Sequence, residues 1–336
     1  MVSSATALAD NSMPALAHGF DCRICGGVGP FHNYRVREMM FALGETFDYA
    51  LCPDCGCLQI VTIPDHLSRY YGGGYYSFGS RPVRHSVGAA LVRARNRALS
   101  GRVDPLGWLV GRFKPYRALA SLHSLRLAPD ARIVDVGCGS GELLIALQSA
   151  GFRALLGVDP FVAHDLDLGG GLLVRQVELR AVPGPFDLVM FHHSLEHIVD
   201  PQAALQAAHD VLAPDGHCLV RIPTVSSWAW RHYGVDWCGL DAPRHLVLHS
   251  TQSIRLLAER CGFTVRDIVY DADAFQFWGS EQYKRNIALM RPCCNDIVPA
   301  PGAFTSAQLR DFARRAERLN RECEGDQIAV YLQRGG

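Results

Sequence analysis

From Arg132 onward, short apolar runs alternate with segments whose hydrophobic residues recur at helical spacing: RIVDV, ELLIALQSAG, ALLGVD, LLVRQ, FDLVMF, PQAALQAAHDVLAPDG, HCLVRI, SIRLLAERCG and FTVRDIVY. Strands that alternate with helices build a parallel sheet covered on both faces. The helices have chemical ends. Asp200 is placed to cap a helix with Pro201 in its first turn, and Gly151 and Gly262 stand where helices must stop. Near the C-terminus Leu309, Phe312, Ala313, Ala316 and Leu319 share one helical face, and DQIAVYLQR follows as a final strand. No internal repeat is present.

Upstream the pattern is different. Residues 1–20 show no sustained period and read as a loose lead-in. Residues 21–63 are punctuated by cysteine, and 64–117 form a connector that is rich in Tyr and Gly and then basic and helical, as in VGAALVRARNRAL. The remaining unit is 118–336, with an insertion at about 224–249 expected to act as a lid.

Composition narrows the classes. With 49% hydrophobic and 20% charged residues in 336, the chain can bury a large core, which excludes disorder as its main state. Lys+Arg and Asp+Glu both number 33, which argues against a surface built throughout to hold nucleic acid. The exception is 81–117, with nine basic residues and one acid, Asp104. A solvated helical face is the usual meaning of such a run; contact with a diphosphate or charged carrier is the functional one. No apolar run is long enough to cross a bilayer and the first 20 residues lack an export pattern, so a cytoplasmic protein is expected.

Twelve cysteines in such a chain suggest metal binding rather than disulfides. Cys22-x-x-Cys25 and Cys52-x-x-Cys55 are separated by 26 residues, and each pair can aim two thiolates at one ion. Four sulfurs leave no open position, so a structural zinc is expected, holding together a module too small to fold alone. Cys57 lies close enough to be an alternative ligand.

The motif RIVDVGCGSGELL sets Asp135, Gly137, Gly139 and Gly141 between a strand and a helix. Glycines there let the backbone turn sharply against a ligand, and the helix N-terminus offers unpaired N–H groups. The dinucleotide fingerprint is disfavoured, because its third glycine falls where this chain has Glu142. Asp159 ends the next strand, where an acid can accept from both ribose hydroxyls.

VDVGCGSG, then GVD, then FDLVMFHHSLEHIVDP resembles the class I S-adenosylmethionine (SAM) methyltransferases over about 110–336. The resemblance implies an α/β, Rossmann-like sheet of seven strands whose last strand runs antiparallel between its neighbours, preceded here by a small N-terminal zinc ribbon. It implies that Asp135 and the glycine turn hold the methionine end of SAM, that Asp159 holds the ribose, and that Gln176 or Val177 borders the adenine. With CRICGG, LCPDCGCLQ, RYYGGGYY and DAPRHLVLHS added, the chain is similar to methyltransferases of sugar and cell-envelope biosynthesis, including sugar C-methyltransferases.

Methyl transfer is an in-line displacement that needs an aligned acceptor, an outlet for its proton and exclusion of water. His192, His193 and His197 follow the fourth strand at the carboxyl edge of the sheet, where ligands bind, and His192 is expected beside the cofactor. The resemblance implies active-site roles for His197 and His245, the latter as base. The group has an acid before that second histidine and a tyrosine two places earlier; here Arg244 and Ala242 stand there. An arginine lowers the basicity of its neighbour and offers a fork for carboxylate or phosphate. Tyr70, Tyr71, Tyr75 and Tyr76 lie where phenols can close over a substrate, Tyr76 being the catalytic candidate, and Trp228, Trp230, Tyr233 and Trp237 are candidates for a pocket wall.

The expected activity is SAM-dependent methyl transfer to a small hydroxylated acceptor, foremost a nucleotide-linked sugar or a related envelope or natural-product intermediate. An RNA base methyltransferase and a non-enzymatic SAM-binding zinc module are the rivals. The sequence leaves open the acceptor atom and the oligomeric state.

Overall fold

The computed structural model describes residues 20–71, 87–113, 116–291 and 297–335. Near the N-terminus β1 (His32–Arg37) and β2 (Thr46–Leu51), between the two cysteine pairs, form an antiparallel sheet with β3 (Leu58–Ile60), which follows the second pair. Two helices follow, α1 (Val87–Leu99) and α2 (Pro105–Phe113), then the single turn α3 (Arg117–Ala120).

The alternating region gives β4 (Arg132–Val136), α4 (Glu142–Ala150), β5 (Ala154–Val158), β6 (Leu166–Asp167), β7 (Leu173–Arg175), β8 (Phe186–His192), α5 (Pro201–Val211) and β9 (Leu212–Pro223). Beyond it come α6 (Trp228–Tyr233), β10 (Val247–Leu248), α7 (Thr251–Arg260), β11 (Phe263–Tyr270), α8 (Phe275–Lys284), α9 (Ser306–Arg321) and β12 (Gln327–Arg334). The order in the large sheet is β11-β12-β9-β8-β4-β5-β7-β6. β4, β5, β7, β8 and β9 run parallel, and β12 is antiparallel to both of its neighbours, β11 and β9.

The expected seven strands are therefore present, with an eighth added at the edge. The addition is a two-residue strand that turns back onto β7 through Gly169, Gly170 and Gly171, all at positive φ. A second difference is the end of α5. The hydrophobic spacing runs on into LAPDG, but the helix stops at Val211, and Leu212, expected to be helical, opens β9. Asp200 does cap α5, its Oδ1 accepting from the Ala203 amide at 2.9 Å, and Gly151 ends α4 in the left-handed region.

The small sheet is built into the rest of the protein. Its fourth strand is β10, which lies far along the chain and pairs antiparallel with β3, Val247 opposite Gln59 and Leu248 opposite Leu58. Ile24, Tyr49, Leu58 and Ile60 share one buried core with Val134, Phe191 and Val220 of the large sheet. The polar counterpart of that core is Arg244, whose side chain is completely buried. It donates to Glu38 at 3.0 Å, to Asp241 at 2.6 Å and to the Tyr70 carbonyl at 3.0 Å. The expectation that Arg244 offers a free fork to a carboxylate or phosphate is thus corrected, because that fork is occupied by two carboxylates of the chain itself.

Replacing Arg244 by Met leaves Glu38 and Asp241 buried without their cation. The expected cost is about 3–5 kcal/mol of folding stability, read from the denaturant midpoint.

Candidate functional site

The site begins at the carboxyl end of β4. Gly137, Gly139 and Gly141 have φ of 72°, 52° and 79°, a region that L side chains rarely adopt. At Gly137 there is also no room: a Cβ would lie 2.5 Å from that of Ser194, whose hydroxyl donates to the Val136 carbonyl at 2.6 Å. The glycine turn and the segment after β8 are therefore pressed together, which brings the first and third sequence motifs to one place.

Two carboxylates flank this turn. Asp159, just past β5, accepts the Gly139 amide at 2.9 Å and the Phe161 amide at 2.9 Å, so it fixes the loop that carries it and the turn beside it. Asp135 is different. It is buried, its Oδ1 has no hydrogen-bond partner, and burial together with the Asp159 charge pushes its pKa up to about 8. A buried acceptor without a donor costs free energy in the empty protein. A ligand that brings a cation or N–H groups to this spot relieves the cost, and the α-ammonium and sulfonium of SAM are such groups. Of the adenine candidates, Val177 is half-buried while Gln176 is exposed and donates its amide to Asp165 at 2.7 Å.

Beyond β8 the chain places a cluster of imidazoles around one acid. His192 is half-buried with both ring nitrogens shielded and unpartnered, and this desolvation holds its pKa well below the usual histidine value. His197 and His245 meet edge to face with ring centroids 4.7 Å apart. Nδ1 of His197 lies 2.9 Å from the Arg244 carbonyl, and that of His245 lies 2.8 Å from the Gly239 carbonyl. Burial, followed by the neighbouring His245, lowers the pKa of His197 to about 4. Glu196 is buried beneath them, 3.9 Å from His245 Nε2, and Asp241 approaches the same nitrogen at 3.9 Å. The acid expected beside His245 is thus supplied in space by Glu196 and Asp241 rather than by the preceding residue. Nothing in the sequence marks Asp241 for this place. The signal for Glu196 was present in LEHI, but nothing in the spacing told that it would face His245.

Tyr76 lies outside the described residues, as does Tyr75. Among the connector tyrosines that are described, Tyr71 reaches the site with its hydroxyl 3.0 Å from His197 Nδ1, whereas Tyr70 turns away toward Arg69 and Glu45. The aromatic wall is corrected. Trp230, Tyr233 and Trp237 are buried, Trp230 packs on Tyr34, and Trp237 donates to Asp326 at 2.9 Å. These rings hold the insertion against β1, α8 and the residue before β12, and have little surface left for an acceptor.

The small sheet also touches the site. Tyr49, fully buried, donates to the backbone carbonyl of His245 at 2.8 Å, and the Leu246 amide donates to the Glu196 carbonyl at 2.7 Å. The four thiols of Cys22, Cys25, Cys52 and Cys55 lie within 4.8 Å of one another, with Cys22–Cys55 at 3.6 Å and Cys25–Cys52 at 3.5 Å. Four sulfurs at the zinc–thiolate bond length around one ion would be separated by about 3.8 Å, so the set fits a tetrahedral site. Each pair closes on a glycine at positive φ, Gly26 donating to the Cys22 carbonyl and Gly56 to the Cys52 carbonyl. Cys57 contacts Cys22 at 3.4 Å and Cys55 at 3.5 Å and accepts from Gln59 at 3.5 Å, a place beside the four thiols.

Residues 110–268 match the family model described as Methyltransferase domain. The sheet order and the glycine turn are those of the Rossmann-like class I methyltransferase fold, in agreement with that match. Curated relatives include the ubiquinone biosynthesis O-methyltransferase of Pectobacterium carotovorum subsp. carotovorum, 31% identical over 138 residues, or 36% of this chain and 58% of that one. The protein of the same name from Ralstonia nicotianae is 35% identical over 124 residues, 31% of this chain and 50% of that one. The chain thus spans little more than half the length of the curated relatives it matches. A solved SAM-dependent methyltransferase from Mesorhizobium loti aligns at 18% identity and a TM-score of 0.41, covering 66% of this chain and 99% of that one. Among the described residues no helix is long and apolar enough to cross a membrane.

The Asp135 pKa gives a prediction with a sign. Its folded value lies above the ordinary carboxylate value, so between about pH 4 and 8 the folded state binds more protons, and this contribution to stability is lost as pH rises. Asp135→Asn should therefore stabilise the ligand-free protein at pH 7, on the order of 1 kcal/mol, while weakening SAM more than about tenfold. Thermal unfolding against pH and calorimetry with SAM check the two halves.

Proposed function

We propose that the protein transfers a methyl group from SAM to a small hydroxylated acceptor, foremost a nucleotide-linked sugar or a related envelope or natural-product intermediate. The observation that carries the reading is Asp135, buried with Oδ1 unpartnered, beside a glycine turn that admits no side chain, with Ser194, two residues before Glu196, packed against the same turn. Asp135 and the turn at Gly137, Gly139 and Gly141 would hold the methionine end, Asp159 the ribose, Val177 the adenine border, and His192 the cofactor side of the cluster. His197 and His245 would face the acceptor, with Tyr71 in the part first given to Tyr76. The name of the curated relatives, O-methyltransferases, favours oxygen as the methylated atom.

In the same reading residues 21–63 are a zinc ribbon with Cys22, Cys25, Cys52 and Cys55 as ligands, and the zinc is structural. Its importance for the chemistry is indirect: Tyr49 and the pairing of β3 with β10 hold the loop that carries His245.

Two experiments test these proposals. Incubation with methyl-labelled SAM and separate pools of nucleotide sugars and RNA, followed by mass spectrometry, should place label on a small hydroxylated product; label on RNA alone overturns the acceptor class. Chelation of the metal should lower the unfolding temperature by several degrees and abolish transfer while SAM still gives binding heat. Unchanged unfolding after complete metal removal contradicts the structural zinc.

A further inference from the structure

His193 stands out among the imidazoles of this cluster because its backbone is strained. Its φ is 51°, in the left-handed region that is uncommon for any residue with a side chain. Such a conformation costs free energy and persists only where the surroundings hold it. Here Arg221 holds it twice: its carbonyl accepts the His193 amide at 2.9 Å, and its Nη1 meets Nε2 of the ring. Arg221 is in turn fixed by Asp271, to which its Nε donates at 2.6 Å.

The arginine also decides where the imidazole carries its hydrogen. A guanidinium has donors and no acceptor, so Nε2 of His193 accepts and the ring hydrogen is on Nδ1. That Nδ1 lies 3.4 Å from Oε1 of Glu196, nearer than His245 Nε2 at 3.9 Å. Glu196 is completely buried, and no closer donor among the described residues reaches either of its oxygens. Burial alone would keep such a carboxyl protonated. The His193 N–H, followed by the rings of His197 and His245, outweighs burial and lowers the pKa to about 2, so the group beneath His245 is a carboxylate.

We propose that His193 is a positioning residue for methyl transfer: clamped by Arg221 in its Nδ1–H form, it orients the Glu196 carboxylate toward Nε2 of His245. The proposal rests on the reading above, in which His245 faces the acceptor. Nδ1 of His245 stands 2.8 Å from the Gly239 carbonyl, which only accepts, so Nε2 is the nitrogen with a free lone pair. A proton taken up there lies 3.9 Å from Glu196 and 3.9 Å from Asp241, two charges that favour it. His193 has the more exposed ring, 35% against 12% for His245, yet both of its nitrogens are engaged and it is no base itself. Exposure in this cluster therefore points to the wrong histidine, and hydrogen bonding separates the two roles.

Two readouts test the proposal, and the first needs no acceptor. The full chain is prepared with the heavy nitrogen isotope in its histidines, and ring proton–nitrogen correlations are recorded by NMR near neutral pH. The signals missing from His193→Asn identify His193, and the expected pattern is a protonated Nδ1 with a bare Nε2. A protonated Nε2 overturns the proposal.

The second readout is the initial rate with methyl-labelled SAM and the nucleotide-sugar pool, alongside calorimetry of SAM and thermal unfolding. His193→Ala should lower the rate roughly 10- to 100-fold, the scale of one hydrogen bond to a charged group, with SAM affinity and unfolding temperature held. Asn can place an amide N–H where the imidazole has Nδ1 and tolerates a positive φ, so His193→Asn should recover most of that loss. Arg221→Met together with Asp271→Asn, which removes the cation with its counter-ion, should add nothing to His193→Ala, because the arginine acts through the ring. A rate loss matched by equal loss of SAM affinity or of folding, no recovery with Asn, or fully additive effects overturns the proposal. Absence of product from the unaltered chain on any acceptor overturns the methyltransferase reading instead, and the tautomer of His193 then decides the clamp alone.

Discussion

A buried guanidinium with two buried carboxylates determines how this protein is assembled. Arg244 comes from the insertion after β9, Asp241 from the same insertion, and Glu38 from the segment after β1. None of the three charges can be left alone in a dry interior, so the N-terminal sheet and the histidine-bearing loop hold together or fail together. Glu38 is itself fixed, accepting the Phe41 and Leu43 amides at 3.1 and 3.0 Å. Further bonds follow the same seam: Ser250 donates to the Cys55 carbonyl, Gln252 to the Asp54 carbonyl and Arg260 to the Ile24 carbonyl. The thiol cluster and the imidazole cluster are therefore two ends of one polar connection.

At the other side of the site the constraint is steric. Gly137 and Ser194 are in contact, and Ser194 is followed closely by Glu196 and His197. The positions of the imidazoles relative to the glycine turn are set by this contact more than by any loop of their own. Asp159 adds to it by taking amides from both sides. Asp135 is left without a partner for Oδ1 in this arrangement, a local cost that a bound ligand removes.

Much of this was legible in the chain because it is local. Strand and helix periods, the Asp200 cap, the glycine stops and the two CxxC turns each need only a few neighbouring residues, and the structure has them where the sequence places them. What could not be read depends on contacts across the fold. Arg244 looked like a ligand-binding fork because its two carboxylates are not recognisable as partners until β10 has joined β3. The lid aromatics looked like a pocket wall, yet Trp237 had a partner in Asp326 near the far end of the chain. Leu212 had helical spacing, and pairing of β9 with β8 and β12 overrode it. Asp241 and Glu196, the acids near His245, replace in space what the residue at 244 does not supply.

The shared small sheet has a consequence for biogenesis. During synthesis β1, β2 and β3 emerge long before β10, so β3 must wait with one hydrogen-bonding edge bare while the whole alternating region is made. The cysteine module alone, cut out as a fragment, would carry that bare edge permanently together with an apolar face meant for the large sheet. It is accordingly a poor candidate for transplantation into another protein, and self-association is the behaviour to expect of it in isolation.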